Sequence, residues 1–326
     1  MSERVLEVRN LRTVFPGPDG GIPVVDGVSL HVERGEVLAL VGESGCGKSM
    51  TAFSLLRLVP KPGRVVGGSV QLDGNDMLAL SIPELRAIRG RDAAMIFQEP
   101  MTSLNPVQTV GAQVVEAIRL HERVSKPAAR SRTVALFRRV GIPDPEARLE
   151  AYPHQLSGGL KQRVMIAMAL STHPKVLVAV EPTTALDVTL QAQILERLRE
   201  LQREIGMAIR LITHDLGSVN ELAARVAVMS AARLVEEGTR ETILGGARHP
   251  YTQGLLASMP ALARPGEPLA EIPGTVPAPE DWPAGCRFAS RCARAIARCT
   301  SEVSGDFEPA RDHVLRCHVV EAEGES

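Results

Sequence analysis

Apolar residues recur along this chain in two rhythms. Short runs such as Val37-Leu38-Ala39-Leu40-Val41 and Val176-Leu177-Val178-Ala179-Val180 are apolar at every position. A strand buried on both faces reads this way. Val5-Leu6-Glu7-Val8 and Val28-Ser29-Leu30-His31-Val32 alternate or are β-rich, with a Gly- and Pro-rich hairpin-like loop over 16–23 between them. Further strands are expected over 70–72, 93–97 and 207–213, the last interrupted by Arg210. The second rhythm is helical. Val110, Val114, Val115 and Ile118 sit three and four apart, which predicts helix from 108 to about 140. Helices are also expected over 51–59, 159–172 and 191–204. Strands alternating with helices imply an α/β fold with a mostly parallel sheet. Beyond Gly245 the pattern fades, and prolines crowd 260–283, so that stretch reads as loop-rich or extended.

Composition narrows the class. The 326 residues are 44% hydrophobic, enough for a large core with an appendage. A net charge of -1 argues against a dedicated nucleic-acid binder. No run approaches the ~20 apolar residues of a membrane span. The first ten residues show no secretory pattern, so a cytosolic setting is expected. Four of the five cysteines fall between Cys286 and Cys317, which in a reducing compartment points to metal ligation more than to disulfides.

The strongest chemical signal is Gly42-Glu43-Ser44-Gly45-Cys46-Gly47-Lys48-Ser49, directly after an apolar run and before a predicted helix. It fits the phosphate-loop pattern at every required position. The glycines let the backbone turn its N–H groups inward on phosphate oxygens. Lys48 supplies a point charge for the β- and γ-phosphates, and Ser49 a hydroxyl for Mg²⁺. Cys46 occupies a variable position, where small size explains it.

Four further motifs follow in order. They are Ile96-Phe97-Gln98-Glu99-Pro100, Leu156-Ser157-Gly158-Gly159, Glu181-Pro182-Thr183-Thr184-Ala185-Leu186-Asp187 and Thr213-His214-Asp215. With the phosphate loop they resemble the Q-loop, signature, Walker B to D-loop and switch motifs of ATP-binding cassette ATPases. The resemblance implies a P-loop core with a mostly parallel sheet, an antiparallel β subdomain and a helical subdomain over about 100–165. It implies ATP and Mg²⁺ as ligands. Glu181 would polarise the attacking water, His214 would bond the γ-phosphate, and Gln98 would carry the Mg²⁺ and water contact. Ser157, Gly158 and Gly159 would face the nucleotide of a second cassette, and Asp187 would belong to the nucleotide-binding set. Phe15 is the candidate for stacking on adenine, with a core role as its alternative.

One departure stands out. The family's Walker B strand ends in Asp-Glu, and here Val180 precedes Glu181. Valine has no lone pair for a metal or its waters, so weakened hydrolysis at this chain's own site is expected, beside an intact signature.

The C-terminal part resembles the extension of oligopeptide and dipeptide importer ATPases. The carrying residues are His249-Pro250-Tyr251-Thr252, Ile272-Pro273-Gly274 and Gly285-Cys286-Arg287-Phe288. The chain therefore divides into a nucleotide-binding domain over 1–250 and an extension over 251–326. Cys286, Cys292, Cys299 and Cys317 are spaced C-x₅-C-x₆-C-x₁₇-C. Four thiolates can ligate a [4Fe–4S] cluster or zinc. The wide gaps and the resemblance favour iron–sulfur, with zinc and free thiols or disulfides as alternatives. Arg287, Arg291, Arg294 and Arg298 would offset an anionic cluster, and Trp282 would sit beside it.

The resemblance implies an ATPase that energises peptide import from the cytoplasmic face of the membrane. Its partners would be a second cassette in a heterodimer, two permeases and an extracytoplasmic peptide-binding protein, with no nucleic acid. Two other readings stand beside it. One is a non-hydrolysing regulatory cassette. The other is a cassette acting on DNA or ribosomes, which the single phosphate loop and the short interval between Gln98 and Ser157 disfavour.

Overall fold

A computed structural model describes residues 3–17, 20–183, 186–259 and 270–324. Thr184 and Ala185 of the D-loop motif, and 260–269 of the proline-rich stretch, lie outside the described residues. The chain forms two compact units, and neither is continuous in sequence. One comprises Met1–Leu6, Val32–Glu36 and Leu72–Leu211; the other comprises Glu7–His31, Val37–Gln71 and Ile212–Ser326.

The first unit is built on strands β6 (Ala93–Ile96), β7 (Val176–Val180) and β8, which spans Ala208–Ile212 and crosses out of the unit at its last residue. The short strand β5 (Asn75–Asp76) precedes them. β6 and β7 run parallel, with Ala93 opposite Val176 and Ile96 opposite Ala179. Every residue of β7 and β8 is buried, including Arg210. The helical stretch after β6 is two helices, Val110–His121 and Lys126–Arg139, rather than one. Ser125 caps the second by accepting from the Ala128 N–H, and Pro127 sits in its first turn, where no N–H is needed. Both helices pack with Gly158–Leu170 around Val114, Ile118, Phe137 and Val164. Helix Val188–Ile205 starts earlier than its periodicity predicts because Asp187 caps it, accepting from Leu190 N–H at 2.8 Å.

The second unit holds β3 (Val37–Val41), β9 (Arg225–Ser230), β10 (Arg233–Thr239), β11 (Phe307–Ala310) and β12 (His313–Leu315), in the order β3-β9-β10-β12-β11. β3 and β9 are parallel, and the remaining pairs are antiparallel. The C-terminal extension thus contributes two strands to the edge of this sheet. A separate antiparallel sheet orders β2 (Ile22–Glu33), β1 (Arg4–Phe15) and β4 (Arg64–Leu72). β1 and β2 are longer than their alternating cores predict. No helix among the described residues is long and apolar enough to cross a membrane.

The extension is tied down by a buried carboxylate. Glu236 on β10 has a fully buried side chain. It accepts from Arg248 N–H at 2.8 Å and His249 N–H at 3.2 Å, and its Oε1 lies 2.8 Å from His313 Nε2 on β12. Replacing Glu236 with Ala would orphan these buried groups together. Glu236→Ala should therefore cost on the order of 3 kcal/mol in urea unfolding, far above a surface substitution. A loss below about 0.5 kcal/mol would contradict this anchoring role.

Candidate active site

The phosphate loop lies in the second unit, between β3 and helix Lys48–Leu55. Gly47 caps that helix from a left-handed conformation, φ 106°, and as a glycine brings no side chain to its first N–H groups. A Cβ at Gly47 would lie 2.3 Å from Val24 O, so no other residue fits there. The helix starts at Lys48 rather than near Thr51, directly after this glycine. A helix N-terminus is the element that binds anions in such loops. Lys48 is buried, and its Nζ donates to the carbonyls of Gly42 and Glu43, each at 2.8 Å. The Cys46 side chain is fully packed, and burial pushes its thiol pKa up, as expected of a space-filling residue.

Residues from the far end of the chain reach this loop. The Glu43 N–H donates to the Tyr251 hydroxyl at 2.9 Å. The Glu43 carboxylate accepts from both Nη atoms of Arg291, at 2.9 and 2.8 Å. Sequence reasoning assigned no role to Tyr251, although it lies in a quoted motif, and gave Arg291 to the cysteines. Phe15 ends β1 half-buried, with its ring edge against Gly63.

His214, also in this unit, follows β8 and is exposed. Asp215 caps helix Leu216–Leu222, accepting from Gly217 N–H at 3.0 Å and Ser218 N–H at 2.9 Å. Burial raises the Asp215 pKa, but the bonds from Ser218 and Gly217 outweigh it and hold the carboxyl below its ordinary range.

The first unit brings Gln98 and Glu181 together. Ile96 and Ala179 are paired in register, so the residues just past each strand are neighbours. Gln98 Nε2 donates to Glu181 Oε2 at 2.9 Å. Glu181 has φ 45°, an uncommon conformation for a residue with a side chain. Val180, one residue before it, is 1% exposed. Ser157 caps helix Gly158–Leu170, accepting from Leu160 N–H at 3.4 Å, with no acidic residue in the first turn. Ser157 and Gly158 are exposed, whereas Gly159 is buried; a Cβ there would meet Leu190 at 2.3 Å.

Cys299 and Cys317 lie in an apolar cluster with Ala289, Leu315, Val319 and Val320, Cys286 packs against it, and Cys292 is near enough to influence Cys286 electrostatically. Among the described residues no group of three or more His, Cys, Asp or Glu is arranged to hold a metal ion, so a [4Fe–4S] site finds no support. Here burial pushes Cys286 up to about 11 and raises Cys292 and Cys317. The four arginines expected to balance a cluster are paired with carboxylates instead. Arg287 bonds Asp26, Arg291 bonds Glu43, Arg294 bonds Glu323 and Arg298 bonds Glu302. Trp282 stacks on the Arg287 guanidinium at 3.7 Å.

These features define a P-loop α/β ATPase of the cassette type, and the chain belongs to the ABC transporter ATPase family. The ABC transporter family pattern matches residues 25–184, and "oligopeptide/dipeptide transporter, C-terminal region" matches 235–299. The oligopeptide transport ATP-binding protein AppD of Bacillus subtilis is 46% identical over 321 residues, covering 98% of each chain. The dipeptide transport ATP-binding protein DppD of Escherichia coli is 47% identical over 314 residues, covering 96% of each. Among solved structures, the ABC transporter cassette MJ0796, described as dimeric and bound to ADP and Pi, superposes with TM-score 0.66 at 26% identity. The match covers 72% of this chain and 98% of that one.

His249, beside Tyr251, gives the second unit a pH dependence. Its Nδ1 accepts from the Tyr251 N–H at 3.0 Å. Burial pushes its pKa from 6.5 down to about 4, against a smaller raising effect of the Arg316 backbone. Between those values the unfolded chain binds a proton that the folded chain refuses, so stability falls as pH falls through the window. From pH 7 to 5 the loss from this group should be about 2 kcal/mol. His249→Asn, which keeps a capping acceptor but does not titrate, should remove that part of the slope in urea unfolding. An unchanged slope would contradict the assignment.

Proposed function

We propose that this chain is the ATP-binding subunit of a peptide importer, working at the cytoplasmic face of the membrane. The observation that carries the reading is the phosphate loop opening directly onto a glycine-capped helix, in a chain whose relatives along nearly its whole length are named for peptide transport. Two permeases, an extracytoplasmic binding protein and a second cassette would complete the machine. The nucleotide-binding domain would end near residue 250, with the extension after it.

In the proposed reaction a water oxygen attacks the γ-phosphorus, the bond to the ADP oxygen breaks, and Glu181 takes the water's proton. Gln98, bonded to Glu181, would orient that water. His214 would hydrogen-bond the γ-phosphate, and Phe15 would lie against adenine. Ser157, Gly158 and Gly159 would serve the partner's nucleotide, and Asp187 would line the same interface. Oxygen donors suit Mg²⁺, and Ser49 and Gln98 supply them. The ion would offset charge on the phosphate oxygens. Val180 supplies none, which supports a weak own site in a heterodimer. A [4Fe–4S] cluster on Cys286, Cys292, Cys299 and Cys317 has only their spacing and their gathering behind it. Iron and sulfide analysis of anaerobically purified protein decides it: about four irons per chain carry the cluster, and iron-free protein removes it.

In the assembled complex Glu181→Gln should lower this site's ATP turnover by about a hundredfold or more while ATP still binds. Val180→Asp should raise its Mg-ATPase rate by about tenfold or more. Equal rates for Val180 and Asp at this position would refute the weak-site reading. Undiminished turnover in Glu181→Gln would refute the base.

A further inference from the structure

We propose that the segment from Cys286 to Cys292 is a positioning element of the phosphate loop, and that Arg291 acts by neutralising Glu43. The inference rests on the reading of that loop as the ATP site. Glu43 is an anion inside a loop whose ligand is a polyanion. Left bare, its carboxylate would repel the phosphates that the neighbouring N–H groups attract. Arg291 covers it with two parallel charge-assisted bonds, a geometry that only a guanidinium supplies. The Arg291 side chain is 6% exposed and that of Glu43 26%, so the pair is partly shielded from water. Its third donor, Nε, is used as well, reaching Pro273 O at 2.8 Å.

The same residue is held from its backbone. Tyr251, fully buried with its ring edge on Phe288 at 5.3 Å, accepts the Glu43 N–H. The far side of the loop is held through a turn. Ala232 N–H donates to Cys46 O at 2.9 Å. Ala231 and Ala232 both have left-handed φ values, 41° and 69°, where alanine is disfavoured. That turn is fixed by Arg287, whose Nη1 donates to Ala231 O at 2.7 Å, and by Asp26 N–H donating to Ala232 O at 2.9 Å. Arg287 and Arg291 are four residues apart between two cysteines; Arg291 bonds Glu43 of the loop directly, whereas Arg287 holds the turn whose Ala232 N–H bonds Cys46 O. The extension therefore sets both the spread of the loop and its local charge. A loop prepared in advance binds nucleotide without first ordering itself.

The test is a double-mutant cycle on the full chain, read as the equilibrium affinity for Mg-ATP. Arg291→Ala should weaken binding by about tenfold, with Arg291→Lys between it and the wild type. At saturating ATP the turnover of the assembled complex should stay within about twofold, since the interaction acts on binding and not on the transition state. Glu43→Gln, which removes the charge itself, should bind at least as tightly as the wild type. Glu43→Gln combined with Arg291→Ala should recover most of the lost affinity, because the anion left uncovered is gone. A purely structural salt bridge would not be rescued this way. Arg291→Ala binding as tightly as the wild type, or a double variant as weak as Arg291→Ala, would overturn the proposal. Should Arg291→Ala fail to fold, Glu43→Gln decides: a tenfold weaker affinity for it overturns the proposal. Lys48→Ala separates the two readings, because a wild type that binds no better than Lys48→Ala would fault the loop as an ATP site, not the role of Arg291.

Discussion

A phosphate loop works under a constraint that shapes the rest of its unit. Its N–H groups must be free for a ligand, yet a backbone with free N–H groups has little of its own to hold it open. Here the shape comes from outside the loop. Glu43 is gripped at its N–H by Tyr251 and at its carboxylate by Arg291, while Cys46 O is bonded by Ala232. Lys48 closes the inside by donating to two loop carbonyls. Tyr251 and Arg291 stand more than 200 positions away in sequence. The second unit is discontinuous for the same reason: strands before the loop and the extension after residue 250 both contribute to its surroundings.

The first unit places its chemistry by strand register. Parallel pairing of β6 and β7 sets Gln98 next to Glu181, and the left-handed backbone at Glu181 turns the chain sharply out of β7. Val180 changes the chemistry of this strand without disturbing its packing, because every other residue of β7 is also buried and apolar. A carboxylate there would be a buried charge needing a partner, whereas valine needs none. Valine at this position therefore carries little structural cost.

Much of this was legible in the sequence. The two all-apolar runs became β3 and β7 with unchanged bounds, because burial on both faces leaves no ambiguity of period. The phosphate loop was equally plain as a pattern, and close backbone approach dictates Gly42 and Gly47 within it. The extension was less so. β11 alternates half-buried and exposed residues, includes Pro309, and sits at a sheet edge, so it shows no apolar run to detect. The break between the helices ending at His121 and starting at Lys126 was missed because apolar periodicity alone ignores caps; Ser125 and Pro127 carried that signal. The roles of Tyr251, Arg287 and Arg291 depend on tertiary pairing and had no local signature. The cysteines mark a limit of the other kind: spacing suggests ligands, but it does not report how thiols pack or which carboxylates the nearby arginines choose.

The most direct measurement of this account is amide hydrogen exchange at Glu43 in the nucleotide-free full chain. The account predicts that the Glu43 N–H, although in a loop, is strongly protected before any nucleotide is added, and that Tyr251→Phe abolishes this protection. A Glu43 amide that exchanges as fast as an open loop residue in the wild type, or stays protected in Tyr251→Phe, would contradict it.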